Sequence, residues 1–124
     1  MQQISESELV LMKIIWKNEG RALLSFIMDE LAREQNEWKQ NTVLTLLSRL
    51  MKKKYLKIQK IGRRNEYIAA ITEQEYQSEL THDFINRVYE GNVKNLVTSL
   101  LENTLTDSDW KELDTFWKEK RKNE

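Results

Sequence analysis

The clearest hydrophobic pattern in the chain lies between Trp38 and Lys54. Aliphatic residues recur there at spacings of three and four, the period of an α-helix with one buried face: Val43, Leu46, Leu47 and Leu50. The opposite face of this predicted helix, residues 41–53, carries short polar side chains and a cation, namely Asn41, Thr45, Ser48 and Lys52, with Thr42 and Arg49 on one flank and Leu44 on the other. Such a face suits the groove of a nucleic acid, but it is equally typical of an ordinary solvated helix surface.

Two helices are predicted before this one. Ser5 and Glu8 have the spacing of a capping box, which starts a helix that ends at Asn18-Glu19-Gly20. A second helix is predicted over residues 24–35, with Ile27, Met28 and Leu31 facing inward. The third helix is expected to have Asn41 or Thr42 as its N-cap residue.

After the third helix the period changes from helical to alternating. Residues 55–61 and 66–70 mix β-formers with polar residues, which predicts two strands, and the turn 62–65 carries Arg63 and Arg64. A plain solvated turn would have the same sequence features. Three helices followed by a basic hairpin is, however, the order of a winged helix-turn-helix domain, whose third helix enters a major groove. The predicted fold class is therefore mainly α, with three helices plus a β-hairpin wing.

The remainder of the chain is predicted to form three more helices. Thr72 with Glu75 and Thr106 with Asp109 repeat the capping-box spacing. Three short helices make a marginal core by themselves, so their apolar stripes predict a dimerisation region that binds a second copy. The alternative is that these helices fold back on the N-terminal domain. The residues assigned to dimerisation are Tyr76, Leu80, Phe84, Val88, Val93, Leu96, Val97, Leu100, Leu101, Trp110, Leu113 and Trp117.

The distribution of charge favours the nucleic-acid interpretation of the central helix. The 124 residues include 20 basic and 20 acidic side chains, a net charge of zero. Residues 38–71, however, hold nine basic residues and one acidic residue, a net of +8, between flanks of −3 and −5. A cationic block of this kind is typical of a surface that binds a polyanion.

Composition argues against several other classes of protein. Without cysteine there is no disulfide and no thiolate metal site. No apolar run reaches the roughly 20 residues that span a bilayer, and the N-terminus lacks a signal-peptide pattern, so a cytoplasmic protein is expected. The single histidine, His82, has no partner that would complete a catalytic or metal site, so we expect no enzyme activity and no cofactor.

Four segments of the chain resemble the BlaI/MecI/CopY family of bacterial repressors. They are ExxLMxxIW at Glu8–Trp16, Trp38 followed by TVLTLLSRLMKKK from Thr42, the strand pair ending in Glu66-Tyr67, and FINRVYEGNVKNLV at Phe84–Val97. The resemblance implies a winged-helix DNA-binding domain over residues 5–71 and a helical dimerisation domain over residues 72–122. It also implies a homodimeric transcriptional repressor that binds a palindromic operator on double-stranded DNA.

The resemblance also implies which residues meet DNA. Thr42, Thr45 and Arg49 correspond to the face of the family's recognition helix that contacts DNA, and Arg63 and Arg64 correspond to the tip of the wing. Threonine can bond a base edge or a phosphate, whereas the cations neutralise phosphates. The full set expected at DNA is Asn41, Thr42, Thr45, Arg49, Lys52, Lys53, Arg63 and Arg64.

The chain departs from the family pattern at three places near the recognition helix. It has Lys39-Gln40 after the tryptophan, Leu44 where a cation is common, and Lys54 where glycine commonly closes the helix. Leu44 is placed either to touch a thymine methyl or to form part of the helix flank, so the operator sequence stays open. A glycine would allow an easy left-handed cap, which Lys54 removes while adding charge.

Two inducer mechanisms are known in the family, and the chain departs from both. The copper-responsive branch uses a cysteine motif, which this chain lacks. In the β-lactam-responsive branch a protease linked to a sensor cuts an Asn-Phe bond in the dimerisation helix, where this chain has Ser99-Leu100. Cleavage there is a hypothesis. A second hypothesis for the whole chain is a winged-helix module that binds an acidic protein and makes no direct DNA contact.

Overall fold

The computed structural model describes residues 2–123, which form six helices and three strands. They are α1 (Glu6–Lys17), β1 (Arg21–Leu23), α2 (Leu24–Arg33), α3 (Gln40–Lys52), β2 (Leu56–Ile61), β3 (Arg64–Ala69), α4 (Glu73–Tyr89), α5 (Val93–Asn103) and α6 (Asp107–Lys122). The predicted order of three helices, a hairpin and three helices is confirmed. The chain divides into an N-terminal unit that ends at Glu79 and a C-terminal unit that begins at Leu80.

The predicted helix starts are confirmed by reciprocal hydrogen bonds. At α1 the Ser5 amide donates to Glu8 Oε1 at 2.8 Å, and the Glu8 amide donates to Ser5 Oγ at 3.1 Å. Thr72 with Glu75 and Thr106 with Asp109 form the same pair of bonds. Each box satisfies amide groups that have no partner within the helix. These starts are local, which is why the sequence predicts them.

The start of α3 differs from the prediction. The helix begins at Gln40 after Lys39, whose extended backbone ends the loop and whose side chain makes no cap bond. Neither Asn41 nor Thr42 is the cap, and the helix spans Gln40–Lys52 rather than 41–53. Burial of the aliphatic stripe sets the position of the first turn, because tertiary packing contributes more to helix stability than the preference for a capping side chain.

The core of the N-terminal unit is built around the predicted stripe of α3. Val43, Leu46, Leu47 and Leu50 are at most 6% exposed. They share one cluster with buried residues of the other elements of this unit: Leu11, Met12, Ile14, Ile15, Ala22, Ile27, Leu31, Tyr55, Leu56 and Tyr67. The predicted burial of the stripe is confirmed, and it leaves the opposite face of α3 to solvent.

The sheet contains one strand that the sequence analysis missed. β1 is three residues long and pairs antiparallel with β3, in the register Ala22 to Tyr67, which gives the strand order β1-β3-β2. A strand this short shows no period in the sequence, and its partner lies about 45 residues later, so no local signal indicates it. Its buried Ala22 extends the core across the sheet.

The turn of the hairpin is shorter than predicted. Ile61 pairs directly with Arg64, so the turn consists of Gly62 and Arg63 alone. The prediction that Arg64 and Asn65 belong to the turn is therefore wrong, since both begin β3. Gly62 has φ of +64°, and glycine in the first position of a two-residue turn is favoured because it tolerates that backbone without strain.

The C-terminal unit has a different character. No side chain between residues 80 and 123 is buried, although α4, α5 and α6 carry eleven large hydrophobic residues that are 39–60% exposed. Within residues 2–123 no helix is long and apolar enough to cross a membrane.

Tyr76, which was assigned to dimerisation, packs within the N-terminal unit. It lies in the first turn of α4 within the N-terminal unit and is half-buried. Its ring centroid lies 5.5 Å from that of Trp16 and 6.0 Å from that of Tyr55. Trp16 in turn donates from Nε1 to the carbonyl of Ile71 at 2.9 Å. Tyr76 therefore packs on the core of the N-terminal unit, because aromatic rings in such edge and tilted contacts gain both area and electrostatic attraction.

Candidate nucleic-acid interface

The exposed face of α3 carries five of the eight residues expected at DNA. Asn41, Thr42, Thr45, Arg49 and Lys52 are all exposed. The helical period places Asn41, Thr45 and Lys52 opposite the buried stripe and Thr42 and Arg49 together on an adjoining flank. Because that stripe fixes α3 in the core, these side chains project from a rigid element rather than from a loop.

Two of these residues have a defined chemistry. The Thr45 hydroxyl donates to the Asn41 carbonyl at 2.9 Å, which leaves its oxygen as an acceptor and its methyl group as an apolar contact. The Arg49 guanidinium forms no ion pair with any residue between 2 and 123, so its forked donors are open to a ligand. An acceptor, a methyl group and a forked cation are the groups that read base edges in a major groove.

Lys53, which was also expected at DNA, is instead paired with a carboxylate of α1. Its Nζ donates to Glu8 Oε1 at 2.8 Å and to the Gln3 carbonyl at 3.0 Å. Glu8 is 2% exposed and Lys53 26% exposed, so a carboxylate inside the protein compensates the ammonium charge. The two residues are 45 positions apart, and no local pattern in the sequence links them.

The charge state of Glu8 follows from these contacts. Burial raises the pKa of the Glu8 carboxyl, but the hydrogen bonds from Lys53 and Ser5 and the positive charge of Lys53 outweigh it, so the pKa lies below its ordinary value. Glu8 thus stays ionised. No described residue donates to its second oxygen, Oε2, so Lys53 is the main compensation for a buried charge.

The wing adds cations beside α3. Arg63 occupies the turn and Arg64 the first position of β3, and both are exposed. Lys57 and Lys60 on β2 are exposed as well. These two lysines belong to the cationic block but were not among the residues expected at DNA. Both lie in a strand whose side chains alternate between two faces, and this alternation was the sequence feature that could have identified them as exposed cations of the wing.

A sequence profile described as penicillinase repressor matches residues 4–119. The chain belongs to the penicillinase repressor family. The resemblance to BlaI and MecI is thereby confirmed.

Members of the penicillinase repressor family align over most of the chain. It is 38% identical over 101 residues to the penicillinase repressor of Bacillus licheniformis, covering 82% of this chain and 77% of that protein. It is 31% identical over 100 residues to the methicillin resistance regulatory protein MecI of Staphylococcus aureus, covering 81% and 80%.

Two solved structures of the family match the fold. The solution structure of the DNA-binding domain of the repressor BlaI aligns with a TM-score of 0.52 and 38% identity, over 60% of this chain and 88% of that one. The monomeric form of Bacillus licheniformis BlaI in complex with the blaP half-operator aligns with a TM-score of 0.51 and 37% identity, over 60% and 89%. The predicted winged-helix fold is confirmed.

The remaining site predictions fall in the C-terminal unit. Apart from Tyr76, the residues assigned to dimerisation are exposed, except Leu96, which is half-buried. Ser99 is half-buried and Leu100 exposed, and the bond between them lies inside α5. His82 is exposed on α4, and residues 2–123 contain no group of three acidic, histidine or cysteine side chains placed to hold a metal ion.

Proposed function

We propose that this chain is a cytoplasmic transcriptional repressor that binds a palindromic operator as a homodimer, with α3 in the major groove of each half-site. The observation that carries the proposal is the division of α3 into a fully buried stripe and an exposed face of hydroxyls, an amide and cations. Family membership supports it, since a relative has been solved in complex with a half-operator.

The residues on α3 suit different roles at the duplex. Arg49 presents two parallel donors, which match the O6 and N7 acceptors of guanine. Thr45 offers an acceptor to an amino group and a methyl group to thymine, while Asn41 suits adenine. Lys52, at the end of the helix, suits a phosphate and thereby sets the register of the helix in the groove. Lys53 contributes by supporting the end of α3 rather than by contacting DNA.

The C-terminal unit supports the homodimer. Its eleven large hydrophobic residues are exposed and are not buried in a core of the unit itself. A second copy of the chain is the simplest partner, because a two-fold interface would cover this same surface on both chains at once. Two linked recognition helices then bind a palindrome with higher affinity than one, because the second half-site is bound at high effective concentration.

The experiment that tests DNA binding begins with selection of bound duplexes from a random pool, followed by fluorescence anisotropy on the selected sequence. We expect a palindrome and an affinity that falls steeply with salt. We expect Arg49→Ala to weaken binding by about 10-fold or more. Arg33→Ala is the matched control, since Arg33 is exposed at the end of α2, outside the cationic block. Absence of any selected sequence, together with a protein complex that resists nuclease, would instead support the protein-binding alternative.

We further propose that repression is relieved by cleavage of the Ser99–Leu100 bond. The bond lies in an eleven-residue helix, so a protease has to unwind α5 locally before the bond fits an active site. Cleavage would separate α6 and part of the apolar surface from the DNA-binding unit. Co-expression with a family sensor protease, followed by intact-mass measurement, should give fragments 1–99 and 100–124. An uncut chain, under conditions in which that protease cuts its own repressor, would overturn this proposal.

A further inference from the structure

The register of the hairpin divides the side chains of the wing between two faces. Directly opposed residues in an antiparallel pair share a face, and successive residues alternate. Leu56 lies opposite Ala69, and Ile58 lies opposite Tyr67. Leu56 and Tyr67 are buried in the core, so this face of the hairpin is the core face.

The next pair on the core face is polar. Lys60 lies opposite Asn65, two residues beyond the pair of Ile58 and Tyr67, or about 7 Å further along the hairpin. Both side chains are exposed, because the core ends before them. The core face of the hairpin therefore continues past the protein interior as a short surface formed by a lysine and an amide.

Arg64 belongs to the other face. It lies opposite Ile61, and its neighbours on that face are Glu66 and Gln59. Glu66 is paired with Arg21 of β1 at 3.7 Å. This outer face of the sheet carries a carboxylate beside its cations, which makes it less suited to a polyanion than the core face beyond Tyr67.

The core face is also the face on which the helices pack. α3 contacts β2, and Leu47 and Leu50 share the core with Leu56. Lys60 and Asn65 therefore stand beyond the core on the side of α3. Because α3 packs on the core face of the sheet and its exposed side points away from the core, a duplex bound as in the proposed function would lie on the same side of the sheet as Lys60 and Asn65.

We propose that Lys60 and Asn65 form the contact between the wing and the DNA backbone, and that Arg64 does not take part. The Lys60 ammonium neutralises a phosphate beside the groove that α3 occupies, and the Asn65 amide donates to the same strand. This inference rests on the proposed function. It changes the expected wing contact from the arginine at position 64 to a cross-strand pair that the sequence analysis did not select.

The test compares Lys60→Gln with Arg64→Gln on the operator selected above. Each substitution removes one positive charge from the same hairpin, so their effects on long-range attraction are matched. We expect Lys60→Gln to lower affinity about 10-fold near physiological salt and to reduce the slope of log affinity against log salt by about one. We expect Arg64→Gln to change affinity less than about twofold. Asn65→Ala should lower affinity without changing the slope, because it removes no charge.

The outcomes separate the inference from the proposed function. A loss at Arg64→Gln that equals or exceeds the loss at Lys60→Gln would overturn the inference, and so would Lys60→Gln binding as the unaltered protein does. In both cases binding by the unaltered protein would leave the proposed function standing. If the unaltered protein binds no duplex, the proposed function itself fails. Thermal unfolding of each variant checks that these exposed substitutions leave the fold intact.

Discussion

The two units of the chain bury hydrophobic surface in opposite ways. The N-terminal unit encloses fourteen hydrophobic side chains around α3, whereas the C-terminal unit buries none between residues 80 and 123 and exposes eleven large ones. A unit with a core has its own source of stability, while a unit without one gains stability by covering its apolar surface with a partner. The contrast supports the proposal that a single chain recognises an operator half-site and that pairing of two chains raises the affinity for the full operator.

The largest effect should come from placing a charge on the exposed stripe of α5. We expect Val97→Asp to make the protein monomeric at micromolar concentration and to lower affinity for the full palindrome by about 10²-fold or more, since avidity is lost. Affinity for an isolated half-site should not change. Sedimentation and anisotropy measure the two effects.

Asn95→Asp provides the matched control for this variant. It adds the same charge to the same helix at an exposed position on the opposite side from Val97. A control that dissociates the protein as completely as Val97→Asp would contradict a dimer held by the apolar stripe.

The next effect compares the same truncation in the two units. Leu47→Ala removes a fully buried side chain from the core and should lower the free energy of unfolding of the N-terminal unit by about 2–5 kcal/mol. Leu113→Ala removes a side chain that is 48% exposed, and it should leave the unfolding of the N-terminal unit unchanged while weakening self-association. Denaturant titration at low protein concentration distinguishes the two. Equal destabilisation of the N-terminal unit by both would remove the contrast between the units.

A third effect concerns the ion pair that joins α1 to the end of α3. Lys53→Met leaves the Glu8 charge buried without its partner and should cost about 3 kcal/mol. Glu8→Gln should cost less, because the partly exposed Lys53 can turn toward water. Urea unfolding of both variants near neutral pH measures the difference.

The dependence of stability on pH should be weaker in Lys53→Met than in the parent. In the parent the pKa of Glu8 lies below its ordinary value, so its contribution is present above that value and is lost as pH falls through the lowered pKa. In Lys53→Met the lowering by Lys53 is lost, while burial still raises the pKa of Glu8 and the Ser5 hydrogen bonds still lower it, so the pKa moves up and the loss of stability on acidification should be smaller than in the parent. Tm measured across the acidic range tests this, and parallel curves would contradict it.

The smallest effect concerns the left-handed residues that close the first three helices. Glu19, Gln35 and Lys54 have φ of +62°, +61° and +68°, although none is glycine. After α3 the Lys54 amide donates to the Met51 carbonyl and the Tyr55 amide to the Leu50 carbonyl, the pattern of a Schellman motif. We expect Lys54→Gly to stabilise the N-terminal unit by about 1 kcal/mol, because glycine adopts this conformation without strain. Gln35→Gly is the uncharged counterpart and should give a similar gain, whereas a loss at both positions would show that strain is absent.

Local signals in the sequence predicted much of the fold. The period of Val43 to Leu50 indicated the buried face of α3, and the boxes at Ser5, Thr72 and Thr106 indicated helix starts, because both depend on residues within one or two turns. The left-handed Lys54 shows the limit of such reasoning. Its sequence suggested that the easy cap was lost, yet the surrounding contacts hold that backbone conformation.

Features that depend on distant residues were missed or misplaced. Tyr76 continues the spacing of Leu80 and Phe84, but the first turn of α4 packs on Trp16, and a helical period cannot distinguish two partners along one stripe. The pairing of Lys53 with Glu8 joins residues 45 positions apart. The length of the turn decides whether Arg64 lies in the turn or in the strand, and a turn two residues shorter than predicted makes Arg64 the first residue of β3.

Strand β2 has a further consequence for the unbound protein. Within the described residues it pairs with β3 alone, so its other edge presents unpaired backbone groups that another chain's strand could join. Lys57 and Lys60 are exposed on opposite faces of this edge strand, and burying their charges beside a neighbouring strand would be costly. The two lysines therefore disfavour aggregation of the wing by strand addition.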